Sequence, residues 1–194
     1  MKSIIRSLIL LCVFAATFVS CETYSDPKVD YSSIYPLSGE WRVRIRNTNA
    51  DTLVNKTTMY TFGTYNTSDN STTQMWLRTT SSIPSFINAI YNVGAKSTWP
   101  PTTLKSKIQC DVTGLSFTTT GIIQNLNVTT NAVIDTITIT EGKVTLNSVS
   151  MPSGVMSDRI SFKLKKSKSP GVTYLVDGYR RTRWNEDETF ITFK

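Results

Sequence analysis

Between Gly39 and Arg46 the chain alternates with a period of two: Trp41, Val43 and Ile45 fall on one face, Arg42, Arg44 and Arg46 on the other. Successive side chains of a strand point to opposite faces, so this pattern demands an extended segment buried on one side and wet on the other. Gly39 lets the backbone turn tightly at the mouth of that strand, and the indole of Trp41 stands at its base. Three outward arginines discourage the strand from pairing edge to edge with another copy. The residues before Leu37-Ser38-Gly39-Glu40-Trp41 read as delivery, and those after it as completion of a sheet.

The rest of the chain supports an all-β class. Thr, Ser and Asn dominate, Ala is sparse, and short alternating runs recur between turn residues, the signature of an antiparallel sandwich or barrel. Strands are expected over 54–65, 73–80, 104–112, 115–117, 134–140, 143–149, 158–166 and 172–183, with a short last one at 189–193. Asn66 to Ser71 reads as a hairpin loop, and Glu141-Gly142 as a hairpin turn. The one candidate helix, of one or two turns, is 85–92, where Phe86, Ile87, Ile90 and Tyr91 have near-helical spacing after Pro84. Once a leader is removed, 194 residues make one domain with a sizeable core.

The leader is explicit. Lys2 and Arg6 form a positive region before the apolar run Leu8 to Val19, which is too short for a membrane span and reads as a secretory signal. Its end, Phe18-Val19-Ser20-Cys21, resembles the lipobox of bacterial lipoproteins, with Phe18 where Leu is usual. Residues 1–20 are thus expected to be a signal peptide, 21–36 a polar tether lipidated at Cys21, and 37–194 the folded domain. The resemblance implies a cell-envelope protein anchored by lipid to the outer membrane. Cys12 leaves with the signal and Cys21 carries lipid, so Cys110 remains without a disulfide partner. Its place on the apolar face of 104–112 makes it a small buried hydrophobe.

Charge and composition exclude several functions. Loss of Lys2 and Arg6 lowers the formal charge from +7 to +5, with 19 basic residues against 14 acidic. That mild excess, without a basic helix or Arg-rich tail, argues against nucleic acid. The chain has no His, which removes Ser-His-Asp and Cys-His catalysis and His-rich zinc sites together. No cofactor or metal motif is present either. Glu40, Asp111, Glu141 and Asp158 are the carboxylates from which an acid–base pair could be drawn. Asn185-Glu186-Asp187-Glu188 reads as a solvated acidic tail rather than a cation site. Lys163, Lys165, Lys166 and Lys168 read as a charged hairpin tip, with anionic headgroups as the alternative use.

Widely separated motifs fit one family. Leu-x-Gly-x-Trp at 37–41 resembles the signature of lipocalin and calycin barrels, in which the Trp plugs one end and an Arg of the last strand lies over its ring. After the lipobox come Ile137-x-Ile139-x-x-Gly142-Lys143-Val144, Asp158-x-Ile160-x-Phe162 and Tyr174-x-Val176-x-Gly178-Tyr179-Arg180-Arg181-Thr182. The whole resembles the bacterial lipoprotein family of lipid-binding putative hydrolases. The family's usual close is Arg-x-Thr-Gly-Phe, and Arg183-Trp184 stands here in place of Gly-Phe.

This resemblance implies an antiparallel up-and-down, calycin-like barrel of about eight strands with one short helix or lid segment. It also implies closure by Gly39, Trp41 and Arg180, with Arg181 close behind, and supplies no catalytic residue. The expected function is binding of a small apolar or amphipathic, lipid-like molecule by a monomer without transforming it. Met59, Phe62, Trp76, Phe86, Tyr91, Trp99 and Phe117 are the candidate contacts, and 86–99 the candidate lid. A glycan- or protein-binding accessory module is the alternative, and a hydrolase the third reading.

Overall fold

The expected first strand forms over Gly39–Asn47 (β1), with Trp41, Val43 and Ile45 buried and the arginines between them half-exposed. The computed structural model describes residues 28–49, 52–53, 59–79, 102–103, 105–119, 123–127 and 132–188. After β1 come β2 (Thr52–Leu53), β3 (Tyr60–Asn66), β4 (Gln74–Thr79), β5 (Thr102–Thr103) and β6 (Lys105–Asp111). Next along the chain are β7 (Ser116–Thr118), β8 (Ile123–Asn127), β9 (Val133–Ser150), β10 (Met156–Lys166), β11 (Ser169–Arg180) and one helical turn, α1 (Asn185–Glu188). The expected helix over 85–92 and strand over 189–193 lie outside the described residues.

All pairings are antiparallel, and they close a ring. From β1 the sheet passes through β3, β4, β6, β7, β9, β10 and β11, and β11 pairs back onto β1 from Trp41↔Arg180 to Asn47↔Tyr174. The short strands β2, β5 and β8 share positions with longer neighbours: β8 lies along the first half of β9 as β7 does along the second. The result is a closed eight-stranded up-and-down barrel. Closure leaves no free edge around the ring.

One expectation is overturned. Glu141-Gly142 is not a hairpin turn, because β9 runs through it unbroken for 18 residues. The register with β10 shifts there, from Ser161↔Lys143 to Lys163↔Thr140, and Glu141 takes a left-handed φ of 54°. This is a β-bulge, in which an extra residue on one strand bends the sheet without reversing the chain. A second shift comes near Asn147 (φ 47°), whose N–H is accepted by Asp158 Oδ1 at 2.8 Å.

Inward residues of β1, β3, β4, β6, β7, β9, β10 and β11 form one apolar core. At its waist Phe162 meets Phe62 at 5.7 Å and Phe117 at 5.6 Å, both edge-to-face, an arrangement that adds roughly 0.5–1.5 kcal/mol per pair beyond burial. The start of β1, the end of β11 and the turns at 67–73, 112–115 and 151–155 lie at one end of the barrel. The strand order puts the β10–β11 turn at the other. Residues Ser32–Lys194 form one compact unit, and Met1–Tyr31 is assigned to another. Ile34, inside the stretch read as tether, is fully buried in the core, and a 3-10 turn over Tyr35–Leu37 leads into β1.

Candidate functional site

The first end of the barrel is shut by side chains. Trp41 is fully buried, and its indole N–H donates to Thr64 Oγ1 at 2.8 Å, whose hydroxyl donates to the Leu37 carbonyl at 2.6 Å. Over the ring lies Arg180, its guanidinium carbon 4.9 Å from the centroid. The same guanidinium donates to the Pro36 carbonyl at 2.8 Å, and its Nε makes a 3.0 Å ionic contact with Asp158 Oδ2 that is not aligned as a hydrogen bond. Gly39 makes room for this cover: a Cβ there would stand 3.3 Å from Arg180 Cγ.

Beyond the cover, an alternating row of charges binds the start of β1 to the chain's far end. Arg42 pairs with Glu188 (2.9 Å), Glu188 with Arg181 (2.5 Å), Arg181 with Glu40 (2.9 Å), and Glu40 with Arg183. The acidic segment 185–188 is therefore not the solvated tail its composition implied. Asp187 is 2% exposed and accepts hydrogen bonds from Ser153 N–H (2.9 Å), Ser153 Oγ (2.8 Å) and Thr182 Oγ1. Burial works against its charge, but these donors outweigh burial and bring the carboxyl below its ordinary range. Tyr179 donates to the Asp187 carbonyl at 2.9 Å, tying α1 to the outer face of β11.

The opposite end is built differently. Alternation along β10 carries Ile160, Phe162 and Leu164 inward and then, on the same face, Lys166. Lys166 is 8% exposed and its ammonium lies 5.3 Å from the ring centre of Tyr174. Burial lowers its pKa, and nearby Asp135 opposes that fall. Burial likewise raises the Tyr174 phenol. Asp135, also buried, accepts from the N–H groups of Thr136 (2.7 Å) and Lys168 (3.1 Å) and from the Ser167 hydroxyl. Ile137 lies opposite Lys166 on β9, and the buried pair Leu164 and Ile139 forms the next inward row, so the surroundings are apolar. A cavity of about 220 Å³ opens beside Lys166, lined also by Thr136, Thr138, Lys165, Ser167 and Pro170.

The residues expected to touch a ligand divide by face. Phe62 and Phe117 point inward and pack into the waist. Met59 does not line the interior: Tyr60 and Phe62 take that face, so alternation turns Met59 outward, where it packs with Val149, Met151 and Tyr179. Trp76 is likewise on the outer face, since Met75 and Leu77 are the buried residues of β4. Phe86, Tyr91, Trp99, the lid they were to form, and Cys21 lie outside the described residues.

The four candidate carboxylates do not converge on one another in an evident pair. Glu40 and Asp158 belong to the shut end, Glu141 pairs with Lys163 at the bulge, and Asp111 accepts the Thr113 N–H. Asp111 and Glu141 both line a second, open cavity of about 390 Å³ along β6, β7 and β9, together with the core residues Cys110 and Phe117. Cys110 is buried and free, with its thiol pushed up by burial and then by Asp111. Lys166, Tyr174 and Asp135 are the residues that sequence reasoning did not assign to an interior site. The signal for Lys166 was its place in Ile160-x-Phe162-x-Leu164-x-Lys166.

The family described as lipid-binding putative hydrolase matches residues 26–185, which takes in every strand of the barrel and the first residue of α1. None of the curated proteins compared with the chain matches it. With most of its length matched and the whole barrel inside the match, the chain belongs to the lipid-binding putative hydrolase family.

Proposed function

We propose that this protein is a lipid-anchored envelope protein whose barrel holds one lipid-like molecule, entering at the end away from Trp41, without transforming it. Lys166 carries the reading. Packing an ammonium among apolar side chains costs free energy, and proteins keep such residues where function needs them. An aliphatic tail would lie against Ile137, Ile139 and Leu164, and an acidic headgroup would meet Lys166 and the Tyr174 hydroxyl.

A binding role fits the lipid-binding description of the family and the apolar interior. Against catalysis, the chain has no His, and each of its candidate carboxylates is engaged by a cation or a backbone N–H group. Anchoring rests on the leader and Cys21, and the outer membrane is its expected address.

Mass spectrometry of small molecules released from protein purified from its native membrane tests the reading. A single-chain amphiphile with an acidic headgroup is expected in stoichiometric amount. An empty barrel that also fails to take up a fluorescent fatty acid would defeat it. The accessory-module reading draws on one observation, the exposed indole of Trp184 at the shut end, and a glycan array would reveal it.

A further inference from the structure

We propose that the outer face of β3, β4 and β6 around Trp76 is a docking surface for an anionic phospholipid bilayer. This surface is separate from the barrel interior and from any anchor at Cys21.

The cross-strand register builds the face. One row runs Tyr65–Trp76–Lys107 and the next runs Gly63–Arg78–Lys105, with neighbouring strands about 4.8 Å apart. The Lys105 and Lys107 ammoniums stand 4.8 Å and 5.5 Å from the centre of the half-exposed Trp76 ring. Arg78 and Lys105 are directly opposed like charges, an arrangement that weakens a sheet unless something else neutralises it.

Several cations elsewhere on the barrel are neutralised by carboxylates. Arg42, Arg159, Lys163, Arg180, Arg181 and Arg183 each sit in an ion pair with a carboxylate. Among the described residues, Arg78, Lys105 and Lys107 are in none. Asp69, fully exposed on the β3–β4 turn, feels Lys107 only weakly and is held chiefly by the Thr67 hydroxyl.

The shape and chemistry select the partner. Around Trp76 the face is a continuous, paired and pleated sheet surface, so its partner is an extended surface. Indole and phenol side chains flanked by lysine match the headgroup level of a membrane, where the ring is part-buried and the ammonium meets phosphate. Each lysine near an anionic bilayer strengthens binding about five-fold.

Vesicle flotation of the full chain carrying Cys21→Ala tests this, with phosphatidylcholine vesicles with and without phosphatidylglycerol. The leader is common to all variants, so differences report the face. Binding is expected to require phosphatidylglycerol and to weaken with salt. Lys105→Gln with Lys107→Gln should weaken it on the order of 25-fold, and Trp76→Ala should abolish the blue shift in emission on binding. Lys143→Gln with Arg159→Gln removes the same charge from β9 and β10 and should leave binding near wild type. Equal losses in the two double variants would show attraction by net charge alone and overturn the proposal. So would binding that ignores phosphatidylglycerol, or no binding by a chain whose circular dichroism shows it folded.

Discussion

Arg183 stands in a left-handed conformation (φ 72°) and pairs with Glu40 at the start of the barrel. This is the position at which the family's usual close carries Gly. A side chain disfavours such a backbone by about 1–2 kcal/mol, whereas Gly accepts it freely. The chain has kept the bend and filled it with a residue that completes the row of charges. Arg183→Gly should therefore be more stable than Arg183→Ala by about 1 kcal/mol, since both lose the ion pair and only Gly relieves the backbone. Urea midpoints of the two variants check this.

Truncating Trp41 should cost about 3–5 kcal/mol, the usual range for emptying a large aromatic site. Arg180→Ala should cost less, about 1–3 kcal/mol, because it bares the indole and leaves Asp158 with only its Asn147 N–H. Equilibrium denaturation of both variants gives the ranking, and Arg180→Lys should recover only part of the loss because ammonium cannot reach ring, carbonyl and carboxylate together.

Two glycines should respond unequally to alanine. A Cβ on Gly178 would stand 2.0 Å from the Arg42 carbonyl oxygen and 2.5 Å from Val43 Cγ1, so β1 and β11 must part. On Gly39 it meets only the flexible stem of Arg180 at 3.3 Å. Gly178→Ala should lose about 3 kcal/mol or fail to fold, and Gly39→Ala about 1 kcal/mol. Thermal melts distinguish the two.

The carboxyl of Asp187 has a lowered pKa in the folded state, so it binds protons less readily there than in the unfolded chain. Its contribution is whole above the ordinary carboxylate value of 3.8 and is lost as the pH falls below that through the folded value. Asp187→Asn should cost about 2 kcal/mol at neutral pH. In acid the stabilities of mutant and wild type should converge, which urea titrations from pH 7 to about pH 2 will show.

Lys166→Met should separate binding from stability. Methionine removes the cost of burying an ammonium but takes the nearby positive charge from buried Asp135, which keeps its three hydrogen-bond donors. The chain should still fold, with a lowered melting temperature, while affinity for an acidic amphiphile measured well below that temperature falls at least about ten-fold. Fluorescent fatty-acid titration reads the second effect.

Period-two alternation was legible wherever a strand has one wet face, as in β1, β4, β6 and β10. The same alternation sets Trp76 opposite Met75 and Leu77, and Lys166 in line with Leu164. The interior role of Lys166 stayed hidden because a lysine beside other lysines and a turn resembles a solvated tip. Glu141-Gly142 satisfies local turn chemistry, and only the partner strand β10, which pairs with β9 on both sides of it, decides for a bulge. The acidic segment 185–188 failed for the same reason at longer range: its charges are neutralised by residues of β1, far away in sequence.

The contact of Arg42 with Glu188 spans 146 residues. A chain synthesised from its N-terminus presents β1 long before β11 arrives to close against it. Until then β1 exposes one unpaired edge and the apolar face of Trp41, and non-local pairing of this kind is slow. The early strand thus depends on its alternating arginines twice, for solubility while it waits and for attachment when the last strand and α1 arrive.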